Sequence, residues 1–342
     1  MSRIPGGGPR SARGGGFPNS ADIERSGIRP GDVLVTESVP DALGADPAAD
    51  AQATAGAAAR RAQVTIRELT TLHEMREAGQ LFIEVWKTPG GCPEISADLL
   101  QALQLAGSYI AGAFEAGAPE RLAGASVAFG SVRAVPEPPE LHSHLTATAK
   151  GRLSTGVGFA LKLHQRAWAL ERGIGTITWT FDPLVRRNSV FNLAKLGACA
   201  TAYLRDIYGS LTDVLNAGGE SDRLWARWEI SDPAVAAAAA GKRRLVSGDS
   251  LPYRLRPGDN LRPHLSMRSG RRSYKVSVPP DIEALRRADR VLANEWRVAL
   301  RDVLGATLEA GGRLLGIDGE GDFVVEEAPE LEEAGLVEEA TT

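Results

Sequence analysis

The chain has 342 residues, 43% hydrophobic and 24% charged, enough for one large core or a core with a smaller lobe. Its formal net charge of −4 argues against the basic surface that nucleic-acid binding needs. Its two cysteines, Cys92 and Cys199, form neither a disulfide framework nor a metal-ligand spacing. No apolar run reaches the roughly 18 residues of a membrane span, and the first residues lack the apolar stretch of a signal peptide. A soluble cytoplasmic protein is the expectation.

Residues 1–62 hold two triple-glycine runs and an Ala-rich polar stretch, with no sustained apolar period. They are expected to be a disordered tail, with at most a short solvated helix in the Ala-rich part. Residues 64–69 alternate as a strand. Leu72, Met75, Leu81, Phe82 and Val85 mark a helix, and residues 86–93 a breaker-rich loop. Residues 98–106 predict a helix, and 109–114 and 122–130 predict strands. A Pro-rich connection leads to a strand over 141–149, then a helix over 157–172 stopped by Gly173. A strand over 174–181, a short helix over 188–196 stopped by Gly197, and a last core strand over 224–230 complete a domain at 63–232. Two strand–helix–strand passages in succession argue for a mixed α/β sheet. Residues 233–272, with an alanine run and the basic Lys242, Arg243 and Arg244, read as a linker. Residues 273–326 predict a β-α-β-β subdomain, its helix marked by Leu292, Trp296, Leu300, Val303 and Leu308. Residues 327–342 are expected to be an acidic tail.

Chemistry concentrates at residues 145–160, where a strand enters a loop of small residues and then a helix. The first N–H groups of a helix have no internal partner, and the helix dipole adds about half a positive charge there. Gly156 and Gly158 permit close backbone approach, and Ser154 and Thr155 offer hydroxyl donors. The combination suits a phosphate or pyrophosphate. Leu161 stands where a dinucleotide fingerprint needs a small residue, and no Gly-Lys-Ser/Thr ending of a Walker loop is present.

This segment resembles the Arg/Gln-x-x-Gly-x-Gly/Ala motif of GNAT acetyltransferases. The wider set extends the resemblance to about residues 64–325: Leu141-His142-Ser143-His144, Gly156 through Lys162, Gln165-Arg166, Trp179 through Leu184, Asn188, Phe191-Asn192-Leu193, Lys195 through Ala198, Tyr208-Gly209 and Ser221-Asp222-Arg223. The resemblance implies a splayed central sheet flanked by helices, with the β-α-β-β unit as an extension. It implies that the backbone of the segment Thr146, Ala147 and Thr148 pairs with the pantetheine arm of acetyl-CoA or another acyl-CoA. Ser154, Thr155, Gly156, Val157, Gly158 and Phe159 would hold the pyrophosphate, with Asn188 and Phe191 near the thiol or the acceptor. Two positions depart from the family pattern. Leu153 replaces the motif's Arg or Gln, and Leu193 replaces the tyrosine proposed in many members to protonate the leaving thiolate.

Acyl transfer to an amine needs a proton acceptor, a polarised carbonyl and a leaving thiolate. His142 and His144, two apart on one strand, are candidate bases sharing a face. Asp182 at a strand end is a candidate base or amine ligand, and Tyr208 a candidate acid. Asp222 and Arg223 suit either a structural ion pair or a substrate carboxylate. Cys199 is expected to be a buried thiol, and no metal site is expected. The function expected is direct N-acyl transfer from an acyl-CoA to a small amine or amino-acid-like metabolite; the alternative is a non-catalytic CoA-binding module. The C-terminal unit is free to complete the sheet, close the acceptor site or build a homodimer.

Overall fold

The computed structural model describes residues 46–87, 94–131, 138–209, 219–267 and 270–329. It opens with a helix, α1 (Pro47–Arg61), whose first turn is capped by the Asp46 side chain. This corrects the expectation of a disordered tail for residues 46–62; residues 1–45 and 330–342 lie outside the described part. Ala51, Ala55, Ala58 and Ala62 are buried and recur at helical spacing, so α1 presents a stripe of methyl groups. That stripe seats it against α4 (Val157–Leu170). Small side chains let the two backbones approach closely. The buried Arg166 of α4 ties the pair together, meeting Asp50 at 3.2 Å and donating to the Ile230 carbonyl at 2.8 Å.

The main sheet has seven strands in the order β1-β2-β3-β4-β5-β7-β6. They are β1 (Val64–Glu68), β2 (Tyr109–Glu115), β3 (Ala118–Ser131), β4 (Glu140–Thr148), β5 (Thr176–Phe181), β6 (Cys199–Leu204) and β7 (Arg223–Glu229). Neighbours are antiparallel except β4 and β5, which α4 joins as a parallel pair. One face packs on α4 and α1. The other is covered over β2, β3 and β4 by α2 (Leu72–Trp86) and α3 (Ala97–Leu105), with Met75, Phe82 and Leu100 against Ile110, Phe114 and Val127. This is the expected mixed sheet between helices. The edge strand β6 was not legible as a strand, and Cys199 on it is exposed rather than buried.

Between β5 and β6, α5 (Arg186–Ser189) runs into a π-helical turn, Val190–Lys195, which Gly197 ends at φ +73°. The extra residue of a π turn re-aims the side chains after it. Beyond β7 the expected linker is structured. It contains α6 (Pro233–Ala239), β8 (Tyr253–Pro257) and β9 (Pro263–Leu265). With β10 (Ser273–Val276), β11 (Arg313–Ile317) and β12 (Phe323–Glu326), these strands form a second sheet in the order β11-β12-β10-β8-β9. The linker expectation failed because Tyr253-Arg254-Leu255-Arg256 buries only Leu255 fully, leaving little apolar signal. The helical part of this unit is α7 (Ile282–Ala288) and α8 (Arg290–Leu300), broken at Asp289; α8 continues through a π turn into α9 (Ala306–Glu309). Leu292, Trp296, Leu300, Val303 and Leu308 are its buried stripe, as expected.

Candidate active site

The parallel pairing of β4 and β5 ends early. Its registered pairs run from Glu140 with Thr176 to His142 with Thr178. Beyond them, β4 from residue 143 to 148 has only β3 as neighbour, and β5 from residue 179 to 181 has only β7. The two strands therefore splay and leave a gap edged by backbone groups with no ladder partner across it. Just past the vertex β4 is bulged: Val127 pairs with Leu145 and Ala128 with Ser143, so His144 is the extra residue. Bulges of this kind re-aim side chains beside functional sites.

At the open end of the gap lies the N-terminus of α4. The loop before it turns through left-handed residues, Gly151 at φ +84°, Ser154 at +64° and Gly156 at +95°. The other helices that open from loops with five or more described residues, α1, α2, α3, α6, α7 and α8, are each capped by a side chain: Asp46, Thr71, Ser96, Asp232, Asp281 and Asp289. α4 starts on Gly156 with no side-chain cap. Its first N–H groups, at Val157, Gly158 and Phe159, thus keep their donors for an outside acceptor. Gly158 sits against β4, where an added Cβ would lie 3.7 Å from the Thr148 methyl.

The side chains around this terminus supply little of the expected help. Thr155 Oγ1 donates to the Arg152 carbonyl at 2.7 Å, so its proton is used inside the loop. Arg152, beside the position where the motif has its basic residue, is tied to Glu115 at 2.8 Å. Leu153 is 65% exposed. Thr146 turns its hydroxyl away to Ser126 at 2.9 Å, and Ala147 is buried, so these β4 residues offer the gap their backbone. Phe159 and Phe191 meet edge to face with ring centres 6.5 Å apart, bringing together two residues that sequence placed near the same ligand. Asn188 is half-buried on α5, its N–H donating to the Val185 carbonyl at 2.8 Å.

The face of the sheet opposite α4 carries the candidate bases. His142 Nδ1 lies 3.3 Å from Thr178 Oγ1, and its ring stacks on Trp225 at 5.5 Å. His144 shares that face, with both imidazoles about the same distance, 5.5 and 5.6 Å, from the Phe129 ring. Burial lowers both; His142, also facing the charges of His144 and Lys162, is held to about 4. Both rings are neutral at pH 7, and His144, the more exposed of the two, is the better placed to pass a proton to water. Tyr208 is 46% exposed and shares a 2.9 Å hydrogen bond with Thr180.

Asp182 is not free to act as a base. It is buried, pairs with Arg286 at 2.6 Å and caps the Leu184 N–H at 2.9 Å. Burial alone would raise its carboxyl, but Arg286, Arg223 and Arg297 outweigh that and hold it below the usual range. A carboxylate so stabilised is a poor base, and Asp182 serves as an anchor for the C-terminal unit. Asp222 does the same, meeting Arg301 at 2.6 Å and accepting from the Tyr203 hydroxyl at 2.8 Å. Its ion partner is Arg301 rather than the neighbouring Arg223, whose side chain reaches the Asp222 backbone carbonyl at 2.9 Å. Asp318, Glu320 and Asp322 cluster in the β11–β12 turn, but the Lys275 ammonium stands 3.3 Å from Asp318 and 3.0 Å from Glu320 and takes a cation's place.

Sequence reasoning missed Lys162. It is 5% exposed, on the side of α4 that faces the vertex of the gap. Its Nζ donates to Ser143 Oγ at 2.7 Å and to Gln165 Oε1 at 3.4 Å, and lies 4.0 Å from the centre of the Trp179 ring. No carboxylate pairs with it among the described residues, and burial lowers it to about 7. A lysine on a helix reads as solvated in sequence, and its partners are remote in the chain.

No family model and no curated protein matches the chain. Solved structures do resemble it. The ribosomal-protein-S18-alanine N-acetyltransferase of Escherichia coli is 16% identical, covering 56% of this chain and 99% of its own, at a TM-score of 0.38. The Salmonella typhimurium protein yncA with its cofactor acetyl-CoA is 13% identical over 50% of this chain and 95% of its own, at 0.41. FeeM, an N-acyl amino acid synthase from uncultured soil microbes, is 14% identical over 49% and 92%, at 0.38. From its own geometry, the splayed mixed sheet with a loop and helix after β4, the chain has a GNAT-like fold.

Proposed function

We propose that the protein is an acyl-CoA-dependent N-acyltransferase, with acetyl-CoA the first donor to consider and a small amine or amino-acid-like metabolite as acceptor. The observation that carries this is the uncapped N-terminus of α4 at the mouth of a gap whose strand edges are unpaired. The residues suit an acyl-CoA. Val157, Gly158 and Phe159 would bind its pyrophosphate through backbone N–H groups, and the β4 edge around Thr146 and Thr148 would pair with its pantetheine arm. The acyl-CoA supplies an activated thioester; the chain aligns it and handles protons. The acceptor would approach from the face of His142, His144, Trp225 and Tyr208, where His144 takes the amine's proton. Closely held reactants and a positioned base account for transfer without a covalent enzyme intermediate.

Thiol release from acetyl-CoA in the presence of a panel of small amines and amino acids tests this. Amine-dependent release is expected. CoA binding without release for any acceptor or acyl chain would favour a non-catalytic CoA-binding module, for which Leu193 in place of a tyrosine already speaks.

A further inference from the structure

Leu193 leaves the proposed reaction without an obvious proton donor for the leaving sulfur. It is buried and faces the C-terminal hairpin, lining a small hollow with Cys199, Arg244 and Leu314. The tyrosines are ill placed. Tyr109 is buried against His164 at 2.9 Å, and the Tyr203 hydroxyl is committed to Asp222. Tyr208 lies exposed on the acceptor face.

Lys162 is placed otherwise. Its two neighbours across the gap, Ser143 on β4 and Trp179 on β5, are the residues immediately after the last parallel pair, His142 with Thr178. Its Nζ therefore stands at the vertex where the strands part. Gly158, one helical turn earlier on α4, faces Thr148 at the open end. The helix side from Gly158 to Lys162 thus spans the gap from its anion-binding end to its closed end. A donor anchored by its pyrophosphate at Gly158 and laid along β4 brings its sulfur toward Lys162.

We propose that Lys162 holds the positive charge and the proton for the leaving sulfur. As the acceptor nitrogen bonds to the acyl carbon, the C–S bond breaks with its electron pair on sulfur, and the Lys162 ammonium gives that sulfur a proton. The acceptor's own proton leaves to His144 or water, and Lys162 regains a proton from water once the thiol departs. The absence of a carboxylate matters: a paired ammonium would be neutralised, whereas this one meets only the neutral Ser143, Gln165 and Trp179. Among the described residues, His142, beside His144 on β4, is electrostatically coupled to this ammonium and is itself neutral, and Arg166 lies one turn along α4. A lysine lowered to about 7 by burial can both hold and release a proton at neutral pH.

This inference rests on the acyl-CoA reading, and its test separates the two. CoA itself is titrated in complex with the protein, and its thiolate is followed by ultraviolet absorbance. A neighbouring ammonium favours the thiolate, so below about pH 7, where Lys162 keeps its proton, bound CoA is expected to hold at least about ten times the thiolate of free CoA. Lys162→Met should remove the shift while still binding CoA, and should lower kcat for acetyl transfer to hydroxylamine about 100-fold with KM for acetyl-CoA little changed. Binding with an unshifted thiol in the wild type overturns the role of Lys162 and leaves the donor site standing, a result that needs no variant to fold. The same shift in Lys162→Met overturns it equally. No CoA binding by the wild type overturns the donor site and this role together.

Discussion

Asp182→Ala is expected to destabilise the fold by about 3–5 kcal/mol, the usual loss on breaking a buried ion pair from one side. A typical domain has about 5–15 kcal/mol in total, so the variant should be recovered largely unfolded or with the C-terminal unit detached. The cause is charge, not volume. Asp182 is the carboxylate at the end of β5 toward which Arg286, Arg223 and Arg297 are all drawn. Arg286 and Arg297 come from α7 and α8, and both are buried. Removing the carboxylate leaves like charges facing one another in a low-dielectric site. Asp182→Asn keeps the shape and the cap on Leu184 yet loses the charge, and should be almost as damaging. Denaturant unfolding checks this, with trypsin sensitivity at the C-terminal unit as a second readout. Because the carboxyl is held below its unfolded value, its stabilisation is present above the unfolded pKa near 4 and is lost as pH falls through the folded one.

Lys162→Met has the opposite sign. The ammonium falls from its usual 10.5 to about 7 in the fold, so below pH 7 the folded protein carries a penalty of about 5 kcal/mol for keeping that charge. The unfolded chain binds the proton more tightly between pH 7 and 10.5, so wild-type stability rises across that window and the penalty is gone above it. Methionine fills similar volume without the charge. The variant should be more stable than wild type at and below neutral pH, and the gain should shrink as pH approaches 10.5. Equilibrium unfolding near pH 6 and near pH 10 measures it. Equal stability of the two proteins at both would mean that the ammonium is not buried uncompensated. A buried, unpaired charge that costs stability is the pattern expected of a functional group.

How much was visible beforehand follows from how each feature is written in the chain. The β4–loop–α4 passage announces itself because its signals are local: a strand of alternating residues, glycines at 156 and 158, and Gly173 to stop the helix. The sequence allowed a solvated helix where α1 lies but missed that it packs into the core, because alanines carry little apolar weight, although Ala51, Ala55, Ala58 and Ala62 keep a helical period that could have been counted. Strands β6, β8 and β9 are short edge or near-edge strands with few fully buried side chains, where the period of two fades. The site divides the same way. The anion-binding end is built from consecutive residues and was legible. The vertex depends on Ser143, Lys162 and Trp179 meeting across three elements, and Asp182 changes from candidate base to anchor only because Arg286 arrives from 104 residues away.

The central claim is that the N-terminus of α4 binds the pyrophosphate of an acyl-CoA. Calorimetric titration of the full chain with acetyl-CoA, beside a Gly156→Glu variant, tests it most directly. Gly156 is at φ +95°, and an added Cβ would meet the Ala62 methyl at 3.6 Å, an ordinary contact, so the glutamate costs about 1 kcal/mol of backbone strain and adds a negative charge at the start of α4. The account predicts micromolar binding by the wild type and at least about a hundredfold weaker binding by a variant that still melts cooperatively. Wild-type protein that takes up no acetyl-CoA, or a variant that binds it equally well, would contradict it.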